Sequence, residues 1–96
     1  MIGKLHIQEN KKIFACCDKE LLDTKLKFND VDVFISSSFF GKENLTLEQL
    51  FENIEECDCA NIFGNKICEI LLDKGIIIKE QIIYIEGIAH TQIYKI

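Results

Sequence analysis

The chain has 96 residues, of which 48% are hydrophobic, and its formal net charge is −5. This length allows one domain with one hydrophobic core, and the hydrophobic share excludes an intrinsically disordered chain. The excess of acidic residues excludes the broad positive field on which non-specific DNA binding depends. We therefore expect residues 1–96 to form a single domain without broad DNA binding.

Apolar residues occur only in short runs, far below the about 20 residues that a membrane-spanning helix requires. No signal peptide follows Met1, and the five cysteines are an odd number, which favours free thiols. These features predict a cytoplasmic protein without a membrane partner. Zinc sites usually contain cysteine pairs with about two to four intervening residues. Cys16 and Cys17 are adjacent, and one residue separates Cys57 from Cys59, so we expect no metal and no other cofactor.

Four short segments in the first third of the chain alternate between apolar and polar residues, as strands do. These segments are residues 5–8, 12–17, 25–28 and 31–35. Turns at residues 9–10 and 29–30 are expected to connect them in pairs. We expect Asp18 to cap a short helical turn, and residues 36–41 to form an irregular loop.

The clearest local signal in the chain is a helix start at Thr46. Gln49, three residues later, completes a capping box, and Leu45 and Leu50 occupy the positions of a hydrophobic staple. The apolar residues of this first helix recur at helical spacing and are predicted to share one face. They are Leu47, Leu50, Phe51 and Ile54.

A second helix is expected to begin near Asn61 or Gly64 and to end at Lys74, with Gly75 in the position that follows a helix. Backbone N–H groups at a helix start attract anions, so Gly64 and Lys66 are a candidate anion site. A glycine chosen for close helix packing is the alternative that we favour there.

Two closing strands are predicted at residues 82–86 and 92–96, on either side of a loop at residues 87–91. With the earlier segments they amount to short strands followed by helices. The predicted fold class is α+β, with a single layer of mostly antiparallel short strands packed against two helices. Residues 92–96 are also a candidate edge strand for a homodimer.

His90 lies in the predicted loop and titrates near neutral pH, which makes it a candidate functional residue. The alternative is a histidine that hydrogen-bonds a backbone carbonyl. Ser36, Ser37 and Ser38 lack the G-x-S-x-G pattern of a nucleophile, so we assign no catalytic residue.

Four segments carry a resemblance to a known family. They are residues 14–22, 36–41, 59–64 and 87–92. In this order and spacing the chain resembles the archaeal family called domain of unknown function 424. The resemblance implies a small archaeal cytoplasmic protein and brings no established activity. The sequence departs from the family pattern at Lys42, where a second glycine is usual, and at Ala89, where proline is usual.

The polar residues of these segments form our binding-site hypothesis. It contains Ser38, Asn61, His90 and Gln92 together with Gly64 and the neighbouring Lys66. An alternative in which the polar residues only stabilise turns stays open.

The function predicted from the sequence is a non-enzymatic binding module for RNA or a protein partner in archaeal information processing. Its binding patch would consist of Lys66, His90, Gln92 and Lys95. The alternative is a small hydrolase or transferase that uses His90 as general acid/base. A deep pocket containing His90 and Asn61 would favour the enzyme, and a flat face with exposed Phe39 or Phe40 would favour a partner site.

Overall fold

The computed structural model describes residues 1–95. The strands within these residues are β1 (Ile2–Gln8), β2 (Lys11–Cys17), β3 (Thr24–Phe28), β4 (Val31–Ile35), β5 (Cys59–Phe63), β6 (Ile82–Ile85) and β7 (Ile88–Tyr94). The helices are α1 (Ser37–Phe40), α2 (Leu47–Glu56) and α3 (Asn65–Asp73), with 3-10 turns at Lys19–Leu21 and Lys79–Gln81. None of these helices is long and apolar enough to cross a membrane.

A five-stranded sheet in the order β1-β2-β5-β7-β6 forms the centre of the molecule. Its neighbouring strands are antiparallel except for β2 and β5, which run parallel. The helices α2 and α3 cover one face of this sheet. Phe14 and Ile62 from the strands and Leu50 and Leu71 from the helices are almost fully buried in the core between them.

A second, smaller layer lies on the other face of the sheet. It consists of the antiparallel pair β3–β4 and of α1. Its core contains Ile2, Cys17 and Phe63 from the large sheet with Ile35 and Phe40 from the small layer. The α+β class and the mostly antiparallel sheet against two helices are confirmed. The expectation of a single layer is corrected, because β3 and β4 form their own sheet.

The start of α2 agrees with its local sequence signal. The hydroxyl of Thr46 accepts a hydrogen bond from the N–H of Gln49 (3.1 Å), and the Gln49 side chain accepts one from the N–H of Thr46 (2.9 Å). Leu47 differs from the prediction, because half of its surface remains exposed at the first helical position. Residues 36–41 contain the helix α1 instead of an irregular loop, since the Ser36 hydroxyl accepts from the N–H of Phe39 (3.3 Å).

The second half of the chain contains more strand than its sequence indicates. Of the two predicted starts of the second helix, Asn61 is wrong, because it lies within the strand β5. The helix α3 starts only after Gly64. The predicted loop at residues 87–91 is wrong, because β7 already begins at Ile88 and contains His90.

The predicted C-terminal edge strand is also corrected. The strand β7 lies between β5 and β6, so the edges of the sheet are β1 and β6. Only the last residues of β7, from Gln92 to Tyr94, extend past their pairing with β6. Ile96, the last residue of the predicted edge, lies outside the described residues.

Candidate functional site

The sheet face opposite α2 and α3 is covered only in part: α1 packs over β1 and β2, and β3 contacts β6, whereas Gln92 and Tyr94 of β7 stay exposed. Strand alternation places His90, Gln92 and Tyr94 of β7 on this side, next to Asn61 of β5 and Ile83 of β6. We call these five residues the open face. Three of the residues predicted for the binding site, namely Asn61, His90 and Gln92, therefore lie together.

A chain of side-chain hydrogen bonds crosses the open face. The amide of Gln92 donates to the Asn61 side-chain oxygen (2.7 Å), and the Tyr94 hydroxyl donates to the Gln92 side-chain oxygen (3.1 Å). The two amides face each other because Asn61 and Gln92 are paired across β5 and β7. The Tyr94 side chain is 70% exposed, so its ring is held in one position while most of its surface meets solvent.

His90 lies flat against a buried ring. Its imidazole stacks on Phe63 with ring centres 3.9 Å apart, and Nδ1 donates to the carbonyl oxygen of Ile62 (2.9 Å). Burial lowers the pKa of His90 below its ordinary value, and the hydrogen bond to Ile62 opposes this only partly. The imidazole is therefore neutral at pH 7, with its proton on Nδ1 and a lone pair on Nε2.

The start of α3 is occupied by a carboxylate from the chain itself. Asp18 is buried, and its side-chain oxygens accept hydrogen bonds from the N–H groups of Lys66 (3.0 Å) and Ile67 (3.2 Å). Gly64 has φ +135°, and any side chain at this position would run into the Asp18 carboxylate. The candidate anion site at Gly64 and Lys66 is thus filled by Asp18, and the glycine serves close packing.

A second set of bonds ties the start of α3 to the β6–β7 turn. The Asn65 side chain donates to the carbonyl of Gly87 (3.3 Å) and accepts from the N–H of Ala89 (2.8 Å). The N–H of Gly64 donates to the carbonyl of Ala89 (2.8 Å). The backbone of Gly64 is therefore close in space to that of Ala89, the neighbour of His90. Gly64 itself presents no group to the open face.

The remaining predicted residues lie elsewhere. Ser38 is on α1, and its hydroxyl is 3.1 Å from that of Ser36. The Lys66 side chain is exposed and lies 3.9 Å from the Glu20 carboxylate. Lys95 donates to the last carbonyls of α2, those of Ile54 and Glu55, and so caps that helix.

The open side of the sheet differs in charge from the molecule as a whole. Among the described residues, the strands place no acidic side chain on this side, although the protein has a net charge of −5. Two lysines, Lys4 and Lys11, lie there, with His6 and His90. The strands of the central sheet contain no Asp or Glu, and most acidic side chains lie on the helices and turns.

The depression beside His90 offers hydrogen-bonding groups and an aromatic ring. The depression next to it is shallow, with a volume of about 220 Å³, and Asn61 does not line it. Gln81, Thr91, Gln92 and Tyr94 are its polar neighbours there, and no carboxylate or thiol in the described chain lines it. Phe40 is buried and Phe39 is half-buried against His6. The described residues therefore contain neither a deep pocket at His90 and Asn61, which would favour the enzyme, nor a flat face with a fully exposed Phe39 or Phe40, which would favour a partner site.

The buried thiols of the chain are unsuited to nucleophilic chemistry. Burial, and to a smaller extent the nearby Asp18, raise the pKa of Cys17 to about 11, and the same two causes raise the pKa of Cys68 to about 11. All five cysteines are free, and only Cys59 is partly accessible. No group of three or more His, Cys, Asp and Glu side chains within residues 1–95 is arranged to hold a metal ion.

Sequence reasoning missed Asp18 as the cap of α3 and Tyr94 as part of the open face. The partner groups of Asp18 are 48 and 49 residues away in the chain, so no local pattern indicates them. The alternation of His90, Gln92 and Tyr94 was a usable signal. The predicted strand begins only at Gln92 and therefore leaves His90 out of this alternation.

Comparison with known proteins agrees with the fold. The crystal structure of an uncharacterized conserved protein from Methanopyrus kandleri has a similar fold, with a TM-score of 0.80 and 22% sequence identity. The similarity covers 97% of this chain and 89% of that chain. No curated protein matches the chain. A family model described as "Protein of unknown function (DUF424)" matches residues 5–96. This match spans nearly the whole chain and confirms the resemblance, and the protein belongs to the DUF424 family.

Proposed function

We propose that the protein is a cytoplasmic, non-enzymatic binding module that holds a short single-stranded RNA segment on its open face. The observation that carries this proposal is the Tyr94 ring, which is 70% exposed on a sheet and fixed through its hydroxyl to Gln92. Proteins bind unpaired bases by stacking them on exposed aromatic rings, and each stacked base contributes about 1–3 kcal/mol.

The groups around Tyr94 suit the edges of bases. The amides of Asn61 and Gln92 offer donors and acceptors at fixed positions, and the neutral His90 adds an acceptor at Nε2. Such edges are accessible in single-stranded RNA and hidden in a duplex. A single-stranded segment of a few nucleotides is therefore the ligand that these groups fit.

The charge of this side of the sheet supports an anionic ligand without strong phosphate contacts. The strands place no acidic side chain there; of the two lysines, Lys11 lies on β2 and Lys4 on β1, at the edge opposite to the open face. Each neutralised phosphate of a single strand contributes about −0.7 to the slope of log affinity against log salt. With two lysines we expect a slope no steeper than about −1.5, so that stacking dominates the affinity.

The alternative of a hydrolase or transferase has less support. His90 already uses Nδ1 for the Ile62 carbonyl, and its depression contains no carboxylate to orient it and no nucleophile for it to activate.

The experiment is a fluorescence-anisotropy titration of labelled ten-nucleotide RNA strands, poly(U) and poly(A), at 50 mM and 200 mM salt. Tyr94→Ala is expected to weaken binding about tenfold, which corresponds to the loss of one stacked base. Tyr84→Ala is the matched control, because Tyr84 is 64% exposed on the other side of the sheet and should leave binding unchanged.

Two outcomes would contradict the proposal. One is a wild-type protein that binds neither strand at 50 mM salt. The other is an equal loss of affinity in Tyr94→Ala and Tyr84→Ala, because binding would then not depend on the open face.

A further inference from the structure

A second surface, separate from the open face, lies at the opposite edge of the sheet. It is a groove of about 610 Å³ between β1 and α2, larger than the depression beside His90. Lys4 and Leu5 of β1 form one wall, and Gln49 and Asn53 of α2 form the other. Leu45 lies between the two walls and supplies apolar surface.

The outer side of β1 is already paired at its start, through an isolated antiparallel bridge between Ile2 and Asn44. The N–H of Gly3 donates to the carbonyl of Glu43 (3.3 Å), and the N–H of Leu45 donates to the carbonyl of Met1 (3.0 Å). Gly41, with φ +79°, lies against Lys4 where the chain arrives at this edge. The added segment therefore covers only the start of β1.

The second half of β1 has the same backbone geometry without a covering segment in the described chain. In an antiparallel ladder, residues two apart direct their N–H and C=O groups to the same side. Because Gly3 directs its N–H away from β2, Leu5 and Ile7 also direct theirs away from β2, to the outer edge of β1. The Ile7 side chain is 71% exposed, an unusual position for an isoleucine on an edge strand.

The side chains around the free edge specify what an added strand would carry. A residue opposite Leu5 or Ile7 faces the helix side, where Leu5 packs with Leu45 on the core, so an apolar side chain fits there. The residue between them faces the other side, diagonal to Lys4. Lys4 and Lys42 line the groove and outnumber its one acidic residue, Glu43, and neither lysine forms an ion pair within residues 1–95. A carboxylate is the complementary group.

We propose that an extended peptide adds as a strand to the free edge of β1, from the groove at Leu5 to Ile7 beyond it, and that the peptide carries the pattern apolar–acidic–apolar. Backbone hydrogen bonds to Leu5 and Ile7 would supply affinity, and the alternating side chains would supply specificity. A peptide fits better than a second copy of the chain, because Gln49 and Asn53 of α2 and the intervening Leu45 border the groove beside β1.

The test is selection from a random heptapeptide display library on the immobilised full-length chain. Enriched peptides are expected to share the apolar–acidic–apolar pattern. In a titration with the best enriched peptide, Ile7→Pro should weaken binding at least about tenfold, because proline removes the N–H that points to the outer edge of β1. Ile7→Ala keeps this N–H and should lose much less. Proline is tolerated at such an edge position, and a circular dichroism melt checks the fold.

Asn53→Arg tests the other wall of the groove without touching β1. It should also weaken peptide binding, and Lys42→Gln should weaken it in a salt-dependent manner. Hydrogen exchange should show the amides of Leu5 and Ile7 exchanging fast in the free protein and slowly in the complex.

Three results would overturn this inference. The first is a library selection that enriches no peptide. The second is an enriched peptide that binds Ile7→Pro, folded by circular dichroism, and the wild type equally well. The third is concentration-dependent protection of the Leu5 and Ile7 amides in the free protein, which would show that a second copy occupies the edge.

Discussion

His90 shows how one side chain depends on its neighbours in the sheet. In the sequence it is a candidate functional histidine, with a hydrogen bond to a backbone carbonyl as the alternative. The structure contains that hydrogen bond, to Ile62, and adds the stacked ring of Phe63. The hydrogen bond to Ile62 uses Nδ1 and leaves Nε2 available to a ligand. The structural role and the candidate functional role therefore belong to different nitrogens of the same ring.

The burial of His90 makes a prediction about pH. Because burial lowers its pKa in the folded protein, the unfolded chain binds the proton more tightly. The contribution of this pKa difference to the free energy of unfolding is complete above the ordinary pKa of about 6.5. It is lost as the pH falls through the lowered pKa of the folded protein. The free energy of unfolding, measured in urea at pH 7.5 and pH 5, should therefore fall less for His90→Gln than for the wild type. An equal fall in both proteins would contradict this assignment.

At the scale of elements, the start of α3 depends on a residue from another part of the chain. The carboxylate of Asp18 caps the helix through the N–H groups of Lys66 and Ile67, and Gly64 leaves the space that the carboxylate occupies. The helix is thereby attached to the end of β2. A helix cap of this kind adds stability and also fixes where the helix lies on the sheet.

This arrangement predicts coupling between Asp18 and Gly64. Asp18→Ala should lower the free energy of unfolding by about 2 kcal/mol, because it removes a charged cap. Gly64→Ala should cost at least about 2 kcal/mol, because its side chain meets the carboxylate and its φ is strained. In the double variant, urea unfolding should show a cost clearly smaller than the sum of the two. Additive costs would mean that the contact contributes nothing.

The elements that were predicted correctly are those whose signals are local. The capping box at Thr46 and Gln49 involves neighbours three residues apart, and it is present in the structure. The strand β5 was missed because its five residues give no boundary signal of their own. It is a strand because β2 and β7 hydrogen-bond to it on both sides. The early start of β7 has the same cause, since β5 and β6 pair with its first residues.

At the scale of the whole molecule, the two covered faces decide which thiols meet solvent. Four of the cysteines lie in the cores on either side of the central sheet or at the edge of them, and Cys59 is partly accessible. Burial raises the pKa of the Cys17 and Cys68 thiols to about 11, so they remain protonated at neutral pH.

We therefore expect one fast-reacting thiol in the native protein. Ellman's reagent at pH 8 should modify Cys59 first, and the other cysteines should react only as the protein unfolds. The variant Cys59→Ser should remove the fast phase and leave the slow phase unchanged. If more than one thiol reacts fast in the wild type, the cores are more open than the structure indicates.

The amino-acid sequence by itself determined the α+β class, the first hairpin, the start of α2 and the family, because these depend on alternation, capping and motif order along the chain. Only the tertiary structure decided which predicted residues meet. Asn61, His90 and Gln92 share the open face because β5 and β7 are paired, whereas Ser38 and Lys66 lie on other elements. The physical reason is that strand order and helix docking are set by contacts between residues far apart in the chain, which no local pattern records.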